Sequence, residues 1–181
     1  MQNKINLLLK HIYQDIIYFI INSFIKDGRS RAKLFNVFYP DIVIGKDSVF
    51  RKSITLYNGS RLEGELSVGS ETFINDECFI DYSSKVIIGN NVSFGMRVLI
   101  LSSSHKIDDP MRCGIKKNKT TIIKDNCWLG AGVLVYPGVI IEKGCVIAAG
   151  EIVDENIPEN KLLKKGVLMD IDIKNYGLGG Q

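Results

Sequence analysis

The chain has 181 residues, 45% hydrophobic and 24% charged, the make-up of a soluble domain with a buried core and a modest appendage. Its net charge of +3 and pI near 8.6 are too mild for a nucleic-acid partner, which asks for a concentrated basic face. The cysteines Cys78, Cys113, Cys127 and Cys145 form no C-x-x-C pair and only two histidines exist, so no metal site is expected and free thiols of a cytoplasmic protein fit the pattern.

Residues 1–40 read as an amphipathic helical segment. The stretch 5–25 is strongly apolar but carries Lys10, His11, Gln14 and Asp15, where a spanning helix needs about 20 residues with few or no charges. No small-residue cleavage site follows, so it does not read as a secretory signal. Ile5, Leu8, Leu9, Ile12, Ile16, Phe19, Ile20 and Phe24 recur near helical spacing, and Lys26, Arg29, Arg31 and Lys33 follow. Two roles stay open: peripheral contact of residues 5–33 with an anionic membrane, or capping and packing against the protein itself.

Residues 41–160 carry a period of six. Aliphatic residues or Phe recur at Ile44, Phe50, Leu56, Leu62, Val68, Ile74 and Ile80. After a two-residue slip they recur at Ile88, Phe94 and Ile100, and again at Ile123, Leu129, Val135, Ile141, Ile147 and Val153. Six fits neither an α-helix nor strand alternation. It suits a solenoid whose short strands turn a corner every six residues, with about five three-sided coils and the periodic residues inside. Asn90-Asn91, Asp125-Asn126 and Lys143-Gly144 supply the turn chemistry.

The longest break, residues 101–122, must leave the solenoid as a loop, and such excursions carry function more often than the repeat does. It contains His105, and histidine is the side chain whose ordinary titration suits a general base near neutral pH. A surface histidine of a polar loop would look the same. Residues 161–181 read as a tail.

Ile88–His105 (IGNNVSFGMRVLILSSSH) and Ile123–Val153 (IKDNCWLGAGVLVYPGVIIEKGCVIAAGEIV) resemble the hexapeptide-repeat acyltransferases, in particular their galactoside and maltose O-acetyltransferase group, over residues 42–160. The resemblance implies a left-handed parallel β-helix and acetyl-CoA as co-substrate without a metal. It implies direct transfer to an acceptor hydroxyl with His105 as base and the backbone N–H of Ala131, beside Gly130, as oxyanion donor. Trp128 and Ala149 map to the path of the pantetheine arm. Asn75 and Asp81 map to acceptor contacts, although Asp81 could instead orient His105 and Asn75 could be a turn residue. The usual V-T-K-D-I-P-x-N reads VDENIPEN here, so Lys161, Lys164 and Lys165, Lys164 and Lys165 foremost, are the candidates for pairing with the CoA phosphates, a solvated lysine face being the alternative. The family assembles as homotrimers with sites between subunits. The expected acceptor is a small molecule or glycan, first a sugar hydroxyl in capsule or O-antigen synthesis. An antibiotic-acetylating enzyme and a non-enzymatic β-solenoid are the alternatives.

Overall fold

The computed structural model describes residues 2–59, 64–108 and 110–171. Two helices, α1 (Gln2–Phe24) and α2 (Gly28–Phe38), precede a three-sided solenoid of short parallel strands. The first face stacks Ile42–Ile44, Glu65–Val68, Lys85–Ile88, Thr121–Ile123 and Ile140–Ile141. The second stacks Val49–Phe50, Phe73–Ile74, Ser93–Phe94, Trp128–Leu129, Val146–Ile147 and Lys161–Lys164, and the third Thr55–Tyr57, Phe79–Asp81, Leu99–Ile100, Leu134–Val135 and Ile152–Val153.

The period of six has its cause in these stacks. The fifteen periodic residues that are described form five coils of three, from Ile44, Phe50 and Leu56 to Ile141, Ile147 and Val153. All are buried except Leu56, which is half-buried against the core. Leu62 lies outside the described residues. The solenoid also continues past residue 160, where a tail was expected. Ile157 bridges to Ile141, Lys161–Lys164 pairs parallel with the strand Val146–Ile147, and Val167–Asp170 folds back antiparallel on it. Five complete coils are therefore followed by part of a sixth.

The corners repeat as regularly as the core. The residue three after an inward one takes positive φ, at Asp47, Glu71, Asn91, Asn126, Gly144 and Asn160 on the first corner. Ser53, Glu77, Arg97, Gly132, Gly150 and Gly166 do so on the second. A left-handed backbone costs a non-glycine residue about 1–2 kcal/mol, which favours Asn and Gly at these steps.

A second buried ladder runs two residues before most inward positions and holds mainly small side chains, among them Ser48, Thr72, Cys78, Cys127, Val133 and Cys145, with Ile42, Ile54 and Leu66 in the first two coils. Its polar members reach the next coil's backbone: Ser48 Oγ donates to Gly69 O and Thr72 Oγ1 to Gly89 O, both at 2.8 Å. Three of the four cysteines sit there, free and buried, while Cys113 is exposed.

The helices close the open end, where a solenoid would expose its core and unpaired strand edge. Asp27 caps α2, accepting from Ser30 N at 2.7 Å, which satisfies a first-turn donor. Phe35 packs over Phe50 with ring centroids 6.0 Å apart. The buried Arg31 donates to Phe50 O at 2.9 Å, and Asn36 pairs in both directions with Ile44, each bond 2.7 Å. The hydroxyl of Tyr18 on α1 donates to Ile54 O and accepts from Leu56 N. Capping is thus done by α2 and by one side of α1.

Candidate functional site

The long break leaves the solenoid between its third and first faces. After Leu99–Ile100 the strand Ser103–His105 pairs antiparallel with Lys116–Asn118, forming a hairpin with His105 opposite Lys116. Both sides of its neck are fixed. The buried Ser102 accepts from Ser84 N through its hydroxyl and from Lys119 N through its carbonyl, both at 2.9 Å. The buried Thr121 hydroxyl donates to Leu101 O at 2.6 Å and accepts from Gly138 N at 3.1 Å. These bonds occupy backbone groups that the departing strand takes out of the ladder.

His105 is exposed at the end of the outgoing strand. Two residues earlier, and so on the same side of that strand, Ser103 donates its hydroxyl to Asp81 Oδ2 at 2.5 Å. Asp81 is only 4% exposed, and its Oδ1 accepts from Ser83 N at 2.9 Å and Ser83 Oγ at 2.5 Å. The expected acceptor contact thus lies inward with three donors, tying the third coil's entry to the root of the His105 strand. Asn75 lies elsewhere, at the corner between the second and third faces, where its Oδ1 accepts from Asp76 N at 2.8 Å.

That second corner gathers the other expected residues into one column. Trp128 is 55% exposed on the second face, between Ser93 and Val146. Gly130 and Ala131 form the fourth coil's corner, Ala148 and Ala149 the fifth's, and Lys164 and Lys165 the partial sixth's. The coils approach closely there. A Cβ on Gly95 would lie 2.4 Å from Ala131 N, and one on Gly130 would lie 2.5 Å from Ala149 N.

The amides of the column differ along its length. At its ends they are occupied: Lys52 N donates to Asp76 Oδ1 and Lys165 N to Glu151 Oε1. Gly130 N and Gly132 N donate to Ile147 O and Met96 O, each at 2.8 Å. Between them the N–H groups of Ala131 and Ala149, both exposed residues, donate to no other described residue. Ala131 and Ala149, on adjacent coils beside Trp128, thus present main-chain donors without a described partner, as does Met96 one coil earlier. Lys164 and Lys165 are exposed one coil further on, whereas Lys161 is paired with Asp170.

The expected residues therefore fall into two groups. His105, with Asp81, belongs to the corner between the third and first faces. Trp128, Gly130, Ala131, Ala149, Lys164 and Lys165 belong to the corner between the second and third, and the third face lies between the two groups. Ser83 and Ser103 escaped the sequence reading. The run Ser102-Ser103-Ser104 just before His105 was the signal for Ser103, and the pair Ser83-Ser84 that for Ser83.

The family description "bacterial transferase hexapeptide (six repeats)" matches residues 120–150. Over 118 residues the chain is 36% identical to a galactoside O-acetyltransferase of Lactococcus lactis, covering 61% of this chain and 57% of that protein. The chain thus spans less than two thirds of that relative's length. Over 141 residues it is 30% identical to WbbJ of Escherichia coli K12, which carries the name of a lipopolysaccharide biosynthesis O-acetyl transferase, covering 70% of this chain and 71% of WbbJ. The crystal structure of a maltose O-acetyltransferase from Clostridium difficile 630 aligns with a TM-score of 0.74 at 27% identity, over 91% of this chain and 86% of that one. With that likeness the solenoid is a left-handed parallel β-helix.

Proposed function

The chain belongs to the hexapeptide-repeat transferases, and from that premise we propose that it moves an acetyl group from acetyl-CoA to a sugar hydroxyl during surface polysaccharide synthesis. His105 takes the proton of the acceptor hydroxyl as that oxygen attacks the thioester carbonyl. The tetrahedral oxyanion is held by the Ala131 N–H, a donor already in place and free of any other bond. Collapse breaks the C–S bond, and the departing thiolate takes the proton back from His105. Trp128 and the Ala149 amide line the pantetheine arm, and Lys164 and Lys165 act as point charges toward the nucleotide phosphates.

The observation that carries this reading is the unbonded amide pair of Ala131 and Ala149 beside Trp128. The exposed corner amides of Met96, Asp125 and Lys143 also lack a described partner, and what sets Ala131 and Ala149 apart is their place on the two coils beside the exposed Trp128. Because His105 and these amides lie on different corners, a complete site takes His105 from one copy and the amide corner from its neighbour in a homotrimer, working in the cytoplasm. The sugar acceptor is favoured by the name that WbbJ bears.

The test is acetyl-CoA binding by calorimetry, followed by CoA release with a panel of sugars, antibiotics and serine. Binding with turnover on sugars alone is the expected result. A chain that binds no acetyl-CoA sinks the reading, and turnover confined to antibiotics replaces the acceptor.

A further inference from the structure

Both roles open to the amino-terminal helix rest on apolar surface, and α1 has two apolar sides. The inner side, with Ile17, Tyr18 and the buried Ile21, packs against α2 and the first coil. The opposite side carries Leu9, Ile12, Tyr13, Ile16, Phe19, Ile20 and Phe24, each between 41 and 68% exposed. The side chains of Ile5 and Leu8 lie outside the described residues. Capping is thus complete without the outer side, which leaves seven large apolar residues facing away from the protein. So large a contiguous patch marks an interaction surface.

The chemistry of this side selects its occupant. Its positions recur three and four apart, and the charged Asp15 falls outside its arc. Among the residues of this side whose side chains are described, the hydroxyls of Tyr13 and Ser23 are the only polar side-chain groups. A protein interface carries about one hydrogen bond per 100–200 Å², and this surface offers too few partners for that. Hydrocarbon asks for none, and a Tyr suits the boundary between lipid and water. Directly after Phe24 come the exposed Lys26, Arg29 and Lys33. Arg29 and Lys33 share a cleft of about 150 Å³ with Lys46, where Asp47 is the one acid, and the nearby Asp27 carboxylate is engaged by Ser30 N.

We propose that α1 docks by its outer side on an anionic membrane leaflet, lying in the interfacial plane with Lys26, Arg29 and Lys33 at the headgroups. No helix among the described residues is long and apolar enough to cross a membrane, so the contact is peripheral. It holds whether or not the acetyl transfer proposed above is correct.

The full chain is floated with vesicles of phosphatidylcholine alone and of phosphatidylcholine with phosphatidylglycerol, at low and high salt, and its mass in solution is measured by light scattering. It is expected to float with the anionic vesicles and less so in high salt. The double variant Ile16→Ser, Phe19→Ser is expected to stay at the bottom while keeping its mass and helical circular dichroism. Lys26→Gln, Arg29→Gln and Lys33→Gln are each expected to lower vesicle partitioning about five-fold. Failure of the parent chain to float with anionic vesicles overturns the proposal, as does a double variant that floats like the parent or glutamine variants that bind undiminished. A double variant whose mass falls assigns the surface to a second copy of the chain and overturns it too.

Discussion

The Ser103 hydroxyl donates to the Asp81 carboxylate at 2.5 Å across 22 residues of sequence, joining the end of the second coil to the strand that bears His105. Removing the carboxylate leaves the Ser83 amide and two hydroxyls without their acceptor, at a cost of about 1–3 kcal/mol. Asp81→Ala is expected to lower the melting temperature. Ser103→Ala loses one bond and should fold nearly as well, yet free the root of the His105 strand. Its kcat is expected to fall with KM unchanged, and Ser103→Thr, which keeps the hydroxyl, should recover most of the rate. A folded Ser103→Ala protein with parental kcat would show that the bond serves folding alone.

His105 is exposed and takes no part in the core, so its removal separates chemistry from stability. His105→Ala is expected to reduce turnover by roughly 10²–10⁴-fold, the usual contribution of a general base, with unchanged melting and acetyl-CoA affinity. Wild-type turnover in the purified variant would end the proposed mechanism.

Two glycines of the second corner test close packing against backbone strain. At Gly130 a Cβ would meet main-chain atoms of Ala149 at 2.5 Å, whereas at Gly132, with φ of +71°, it would meet nothing within 4 Å. Gly130→Ala must push two coils apart and is expected to destabilise by about 1–3 kcal/mol or more. Gly132→Ala carries only the left-handed penalty of about 1–2 kcal/mol. Chemical denaturation should rank them in that order. Acetyl-CoA affinity should fall for Gly130→Ala, because the Ala131 and Ala149 amides move with the coils.

The core of the β-helix was legible because one geometric demand, an aliphatic residue turned inward at every sixth step, repeats through five coils. The second ladder was not, since Ser48, Thr72, Cys78 and Val133 share size and burial but no common polarity. The partial sixth coil escaped because Ile157 and Leu163 follow Val153 by four and ten residues, out of the six-step phase. Leu62 kept the phase in sequence, but Val68, twelve residues after Leu56, begins the next coil. For the site, the motif pointed to Ala131, but the free state of its amide depends on which carbonyls neighbouring coils offer. The burial of Asp81 depends on a hairpin whose closure no local pattern encodes.

Buried acidic groups give the fold a pH limit on the alkaline side. Burial in the prism pushes the Cys78 thiol from 9.0 up to about 11, and burial likewise raises the phenols of Tyr18, Tyr39 and Tyr82 above their ordinary value. The unfolded chain loses these protons first, so between pH 9 and 11 it binds fewer protons than the folded chain. Stability then falls as pH rises. The melting temperature is expected to hold to about pH 9 and decline steadily above it. With Cys78→Ser the decline should begin later, and an unchanged profile would remove the thiol from the account. Thiol titration of the native protein near pH 8 should count one rapidly reacting cysteine, the exposed Cys113.

The separation of His105 from Ala131 by the whole third face yields the sharpest test of assembly. If each site takes His105 from one copy and the amide corner from the next, two different inactive chains can restore one another. The His105→Ala chain keeps an intact corner. The Ala131→Leu chain keeps an intact His105, while its larger side chain blocks the corner. In a closed ring of three, any trimer containing both chains has one interface where the good histidine meets the good corner. Random assembly at equal amounts places about three quarters of trimers in the mixed class, each with one working site of three. Refolding or co-expressing the two chains together should therefore recover about a quarter of wild-type turnover, while either alone stays inactive. A site contained within one chain predicts no recovery, because every chain then carries a defect. Turnover that stays at the level of the separate variants, in a preparation shown by mass to contain mixed trimers, would place His105 and Ala131 in the same copy.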